Sequence, residues 1–183
     1  LQQMLPIHFK QIGKQELTDL LWDYKAFIAL PEEFKLRLIS SAVMWHGNLH
    51  YRPRFKAALD VLKNIKEKRA TVLGGSLFYH HAGKIRITTE LKSLKDSEIN
   101  CSLGLVWRNI WKVKREIKGG YVGPIGINGN IQLSKRQRST MPFRSRIIQP
   151  GIFLKAKLLF APTIDNESSG YLSFCGIKFN DFL

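Results

Sequence analysis

The stretch RATVLGGSLFYHHAGKIRITTE, residues Arg69 to Glu90, marks the point where the hydrophobic pattern of this chain changes. Thr71 to Tyr79 and Lys84 to Thr89 are rich in β-branched and aromatic residues, which favour strands. Ala82-Gly83, which lies between the two runs, is typical of a hairpin turn. The stretch therefore predicts an antiparallel hairpin that opens a β-rich region.

Upstream of this stretch the apolar residues recur every three or four positions, which is the spacing of an amphipathic helix. Three helices are expected. The first covers residues 15 to 28, the second runs from Glu32 to Gly47 after Pro31, and the third follows Pro53 with Phe55 on its apolar face. The glutamates after Pro31 suit the positive end of the helix dipole.

Downstream of the hairpin, Gly and Pro interrupt several short β-rich runs. Strands are expected over residues 103–113, 120–127, 153–160 and 170–179, with Asn128-Gly129 ending the second. The predicted fold class is therefore α+β. A helical segment, residues 1–69, precedes a mainly β domain, residues 70–183, with a sandwich- or barrel-like mixed sheet.

The charge of the chain is strongly positive, with 29 Lys and Arg against 14 Asp and Glu, a net charge of +15. The excess is greatest in residues 71–183, which hold 17 basic and 7 acidic residues. A folded chain with this charge repels itself unless a polyanion offsets it. Nucleic acid is therefore the leading class of partner.

The basic residues form clusters, and the Arg136 region is the densest of them. Lysine and arginine neutralise phosphates, so these clusters are the candidate RNA-binding residues. The candidates are Arg52, Arg54, Lys56, Arg69, Arg108, Lys112, Lys114, Arg115, Lys135, Arg136, Arg138, Arg144 and Arg146. Ordinary solvated helix faces or loops remain the alternative. Trp107 and Trp111 fit a core role better than a base-stacking role.

Catalytic and metal-binding patterns are missing from the sequence. Gly74-Gly75-Ser76 lacks the GK[ST] of a phosphate loop and lies within a β-rich run, and Gly123, Gly126 and Gly129 are interpreted as turns. The histidines have no ligand spacing, and no carboxylate pair fits general acid-base chemistry. We therefore expect no catalytic residue and no metal site in these residues.

Two further features bear on location. No apolar run approaches the roughly 18 residues that a membrane helix needs, so we expect no membrane contact. The two cysteines, Cys101 and Cys175, form no metal-ligand motif and are weak evidence for a disulfide, which fits a reducing, cytoplasmic setting. The sequence predicts no particular oligomeric state.

Three segments in the same order and spacing resemble the C-terminal half of the tRNA(Ile)-lysidine synthetases. They are LPEEFKLRLI from Leu30, YRPRFKAALDVL from Tyr51, and the Arg69–Glu90 stretch. A fourth segment, VWRNIWKV from Val106, resembles the W-D-G-R-F strand of this family, although Asn109 and Ile110 depart from it. The resemblance covers about half of the chain.

The resemblance implies a specific role. This family joins lysine to the wobble cytidine of an isoleucine tRNA and uses ATP to activate the base. The chemistry belongs to an N-terminal PP-loop domain with an S-G-G-x-D-S motif, which this sequence lacks. The chain is thus expected to be a C-terminal fragment that holds tRNA(Ile) and carries no cofactor, while ATP and Mg belong to the missing domain of the parent ligase.

Two other hypotheses stay open. The chain is either a free-standing basic RNA-binding module without catalytic activity, or an enzyme with a histidine-based site of its own. An S-G-G-x-D-S motif in a longer gene product would favour the synthetase hypothesis.

Overall fold

The computed structural model describes residues 12–16, 19–47, 49–107, 111–113 and 116–161, with the backbone alone at Trp111, Lys112 and Phe160. These residues form two compact units. The first comprises the described residues up to Glu90, and the second begins at Leu91. The first unit therefore includes the strands of the Arg69–Glu90 stretch together with the helices that precede them.

The first unit combines a five-stranded antiparallel sheet with three helices. The strand order is β1-β2-β5-β4-β3. In chain order the elements are β1 (Gly13–Glu16), β2 (Asp19–Asp23), α1 (Tyr24–Ala29), α2 (Glu32–Gly47), α3 (Phe55–Lys66), β3 (Thr71–Leu73), β4 (Ser76–His81) and β5 (Lys84–Thr89).

The second and third predicted helices are confirmed as α2 and α3. Pro31 precedes α2 and accepts a backbone hydrogen bond from Phe34, while Glu32 and Glu33 lie in the first turn. One face of the sheet packs against both helices. Trp22, Phe78 and Ile87 of the sheet are fully buried with residues of α2 and α3 in one core, and each such side chain contributes about 1.5–3 kcal/mol by its burial.

The helix predicted over residues 15–28 is wrong. Of these 14 residues, seven lie in β1 and β2, and the five from Tyr24 to Ile28 lie in α1. Leu20, Leu21 and Trp22 are buried in succession on β2, an interior strand hydrogen-bonded to both β1 and β5. A short, fully apolar run of this kind does not distinguish a buried strand from a helix.

Two tight hairpins build the rest of this sheet. The turn predicted at Ala82-Gly83 is confirmed between β4 and β5. Gly74 and Gly75, which were interpreted as lying within a strand, instead form the turn between β3 and β4. Their φ angles of +55° and +78° are those that a two-residue hairpin turn requires. They therefore shape the backbone and are not arranged as a phosphate loop.

The second unit contains a four-stranded antiparallel sheet of order β11-β10-β9-β6 and a separate two-stranded hairpin, β7-β8. A 3₁₀ turn at Leu91–Leu94 comes first. The other elements are β6 (Ile99–Asn100), β7 (Val106–Trp107), β8 (Trp111–Lys112), β9 (Tyr121–Pro124), α4 (Gly126–Gln132), α5 (Lys135–Arg138), α6 (Phe143–Arg146), β10 (Pro150–Leu154) and β11 (Lys157–Phe160).

Three strand predictions in this unit need correction. Within residues 103–113 the described residues form two short paired strands, β7 and β8, instead of one strand. Residues 153–160 are divided by a turn between β10 and β11, and β9 ends at Pro124. Asn128-Gly129 lies inside α4, and a Cβ atom added at Gly129 would lie only 3.3 Å from the ring of Phe153. The turn interpretation of Gly123 and Gly129 is therefore wrong. The strand expected over residues 170–179 lies outside the described residues.

The α+β fold class is confirmed, and no sheet closes into a barrel within the described part of the chain. Trp107 is a core residue, as favoured from the sequence. It is buried with Cys101, Val113 and Val122, and its indole N–H donates a 2.7 Å hydrogen bond to the carbonyl of Ser97. In the described ranges no helix is long and apolar enough to cross a membrane.

Candidate nucleic-acid interface

The first basic cluster lies at the start of α3. Arg52, Arg54 and Lys56 are exposed, and none of them forms an ion pair with another described residue. Pro53 precedes the helix, and no acidic side chain occupies its first turn. The positive end of the helix dipole therefore adds to the charge of three side chains.

Phe55 and Tyr51 are exposed within the same segment, at 67% and 70% of their surfaces. The prediction that Phe55 lies on the apolar face of this helix is wrong. Ala58, Leu62 and Ile65 form that face and are buried. The sequence signal that could have identified the two aromatic residues is their alternation with basic residues in YRPRFK.

A groove of about 490 Å³ lies between α2 and α3 beside this segment. The side chains that line it are Glu32, Glu33, Leu36, Arg37, Ser40, Ser41, Arg52, Pro53, Phe55 and Ala58. Both carboxylates are paired with cations. The Arg37 guanidinium lies 2.7 Å from Glu33, and the Lys66 ammonium lies 3.7 Å from Glu32. The negative charge at the groove is therefore largely offset.

Arg69 lies just after α3 and is exposed, but its guanidinium is 2.9 Å from the carboxylate of Glu67. Nearby, the Lys68 ammonium stands 5.3 Å from the ring centroid of Tyr24, and the same ring meets His80 edge-on. One nitrogen of His80 lies 3.1 Å from the carbonyl oxygen of Ile65. Arg69 is thus partly neutralised, and His80 has a structural hydrogen bond.

The second unit contains a segment without carboxylates. Residues 117–161 include no Asp or Glu, although eight of them are Lys or Arg. The eight are Lys118, Lys135, Arg136, Arg138, Arg144, Arg146, Lys155 and Lys157. The segment therefore contains no acidic side chain of its own that could neutralise these cations.

The densest part of this segment is helical. Lys135, Arg136 and Arg138 lie on α5 and are exposed. A capping box orders the turn: the Ser134 hydroxyl accepts from the Gln137 backbone N–H at 3.2 Å, and the Gln137 side chain accepts from the Ser134 N–H at 2.8 Å. The cluster is therefore held on a defined turn, where an unstructured basic loop was the alternative.

Arg146 differs from the other candidates because it is buried, while Arg144 is exposed. The Arg146 guanidinium donates to the side-chain oxygen of Asn130 at 2.7 Å and to the carbonyl of Met141 at 2.9 Å. Burial lowers the pKa of Arg146, and the charge of Arg138 lowers it further. This side chain therefore joins α4 to α6 and is not one of the exposed cations.

The remaining candidates cannot be placed. Arg108, Lys114 and Arg115 lie outside the described residues, and Lys112 is described by its backbone in β8 alone. In the described ranges no group of three His, Cys, Asp or Glu side chains is arranged to hold a metal ion. His46 is buried and lies 3.3 Å from the hydroxyl of Thr89.

Exposed cations thus occur on both units, together with aromatic side chains on the first. The chain is similar to a tRNA(Ile)-lysidine synthase. It is 29% identical to the tRNA(Ile)-lysidine synthase of Ruegeria pomeroyi over 146 residues, which are 79% of this chain and 34% of that synthase. The chain therefore spans about a third of the length of that synthase, and the similarity supports the resemblance that its motifs indicate. No protein-family model and no solved structure matches the chain.

Proposed function

We propose that this chain belongs to the tRNA(Ile)-lysidine synthase family and acts as a tRNA-binding part of such an enzyme. The observation that carries the proposal is the set of exposed, uncompensated cations on α5 and at the start of α3. Phosphate contacts by Lys and Arg supply most of the affinity of sequence-independent nucleic-acid binding. The similarity to a tRNA-modifying synthase makes tRNA(Ile) the proposed nucleic acid.

The chemistry of the proposed enzyme is the ligation of lysine to the wobble cytidine, with ATP and Mg bound by a PP-loop domain. The 183 residues contain no S-G-G-x-D-S motif, so we assign them the task of holding and orienting the tRNA. Correct positioning of the substrate by groups remote from the reacting atoms is a major source of rate enhancement. The cytoplasm is the proposed location.

The test is tRNA binding by the intact chain as a function of salt. Changing Lys135, Arg136 and Arg138 together to Ala should lower the affinity uniformly across tRNA sequences and reduce the slope of log K against log salt by about three. A variant that exchanges Lys and Arg at the same three positions keeps the charge and is the matched control. Unchanged affinity of the Ala variant would remove α5 from the interface, and no binding at low salt would reject the proposed function.

A further inference from the structure

The segment Tyr51–Lys56 combines exposed aromatic side chains with exposed cations. Its aromatic side chains are among the most exposed large hydrophobic residues of the described chain. None of its three cations forms an ion pair with a carboxylate in the described ranges. Aromatic side chains usually gain more by burial. Their exposure among cations therefore indicates a ligand that offers both a flat apolar face and negative charge.

The groove beside Phe55 has the composition of a site for one such group. Leu36, Ala58 and the ring of Phe55 provide apolar contact, while the hydroxyls of Ser40 and Ser41 provide hydrogen-bonding groups. Its volume of about 490 Å³ lies within the range of small-molecule sites, roughly 300–1,000 Å³. A single nucleobase is recognised by stacking on an aromatic face and by hydrogen bonds to its polar edge.

The charges around the groove decide between possible occupants. Its two carboxylates are offset by Arg37 and Lys66, whereas Arg52, Arg54 and Lys56 stay available at the start of α3. An apolar peptide would make no use of these cations. A nucleotide uses the aromatic face and the cations together, because its base and its phosphate are joined through one sugar.

We propose that this groove holds one unpaired nucleotide of the bound tRNA, with its base stacked on Phe55 and the adjacent phosphates on Arg52, Arg54 and Lys56. The inference rests on the proposed tRNA binding and specifies the form of RNA that is bound. Bases of an RNA duplex are stacked on one another and offer no free face, whereas an unpaired base does. Tyr51, which is equally exposed, provides a surface for a neighbouring base.

The test measures the binding of two RNA probes to the intact chain. One probe is a single strand of about twelve nucleotides, and the other is a duplex of the same length. Phe55→Ala should weaken binding of the single strand about tenfold, the loss expected for one base–aromatic stack, and leave the duplex unaffected. The salt slope should not change, because stacking releases no counterions. Phe55→Tyr keeps an aromatic ring and should retain the affinity.

Ile131→Ala is the matched control for loss of exposed apolar surface, since Ile131 is 68% exposed on α4. Thermal unfolding of each variant checks that the fold is intact. Equal effects of Phe55→Ala on duplex and single strand, or no effect on either, would overturn the groove as a nucleotide site while tRNA binding itself stands. Failure of the unaltered chain to bind either probe or tRNA at low salt would reject the proposed function, and this inference with it.

Discussion

Arg86 on β5 is the most deeply buried cation of the first sheet, and its partners lie on β2, the neighbouring strand, and on β1, the strand beyond it. Its guanidinium lies 2.5 Å from Asp19 and also donates to Glu16, while the side chains of Arg86 and Asp19 are only 7% and 2% exposed. Removing one member of a buried pair leaves an uncompensated charge. We expect Arg86→Met to lower the free energy of unfolding by about 3–5 kcal/mol in urea denaturation.

The control for this loss is Arg37→Met, which removes an exposed helix pair with Glu33 and should cost below about 0.5 kcal/mol. Replacing both Arg86 and Asp19 by apolar residues should recover part of the stability, because no buried charge is then left alone. Equal losses for Arg86→Met and Arg37→Met would contradict the assignment of Arg86 to a buried pair.

Glu16 gives the same cluster a dependence on pH. Burial alone would raise the pKa of Glu16, but the hydrogen bond and charge of Arg86, with a smaller effect of Lys14, lower it below its ordinary value of 4.5. The interaction of Glu16 with Arg86 therefore stabilises the fold fully above the unfolded-state pKa of Glu16. This stabilisation is lost as pH falls through the lower folded-state pKa of Glu16. The midpoint temperature of unfolding should decline more steeply in acid for the unaltered chain than for Glu16→Gln. The same dependence of the midpoint temperature on pH in the unaltered chain and in Glu16→Gln would refute this.

At the scale of single elements, predictions succeeded where a local signal stands alone. Pro31 and the two glutamates after it predict the start of α2, since they act within one turn. β2 was mispredicted because the burial of Leu20 and Trp22 depends on strands far along the chain, with Ile87 and Ile85 opposite them. Asn128-Gly129 is a local turn signal that lies inside α4, and the close approach of Phe153 on β10 to Gly129 is a long-range contact that the local sequence does not show.

The turn between β3 and β4 allows a matched pair of substitutions. Gly74 and Gly83 both have positive φ, so Ala at either site is strained by about 1 kcal/mol. A Cβ at Gly74 would also lie 2.6 Å from Val43 on α2, whereas one at Gly83 meets nothing within 4 Å. Gly74→Ala should therefore lower the melting temperature clearly more than Gly83→Ala. Equal shifts would show that α2 does not restrict this turn.

The capping box of α5 links an element to the proposed interface. Ser134→Ala removes the cap of the turn that carries Lys135, Arg136 and Arg138, at a cost of about 1 kcal/mol in local helix stability. Hydrogen exchange at residues 135–138 should become faster, and tRNA affinity should fall severalfold while the salt slope stays constant, since no charge is lost. Ser134→Asn keeps a capping oxygen and should behave like the unaltered chain.

At the scale of the whole molecule, net charge follows from the sequence alone, whereas the exposure of each cation does not. Net charge is a sum over the sequence, so the value of +15 is known without a structure and by itself indicates a polyanionic partner. Which cations are available depends on packing. Arg146 looks equivalent to Arg144 in sequence, yet its guanidinium donates hydrogen bonds to Asn130 and Met141. Phe55 has an apolar position in the helical pattern, yet it is exposed.

The two basic clusters lie on separate compact units, and this arrangement has a measurable consequence. If one tRNA contacts both clusters, replacing Arg52, Arg54 and Lys56 by Ala should reduce the salt slope by about three. Replacing the three α5 cations by Ala should reduce it equally, and the combined variant should lose about six. Losses in log K should also add, because the clusters contact different phosphates. A combined variant no weaker than one of its parents would show that a single unit holds the tRNA, and the other cluster would then serve a different anionic partner.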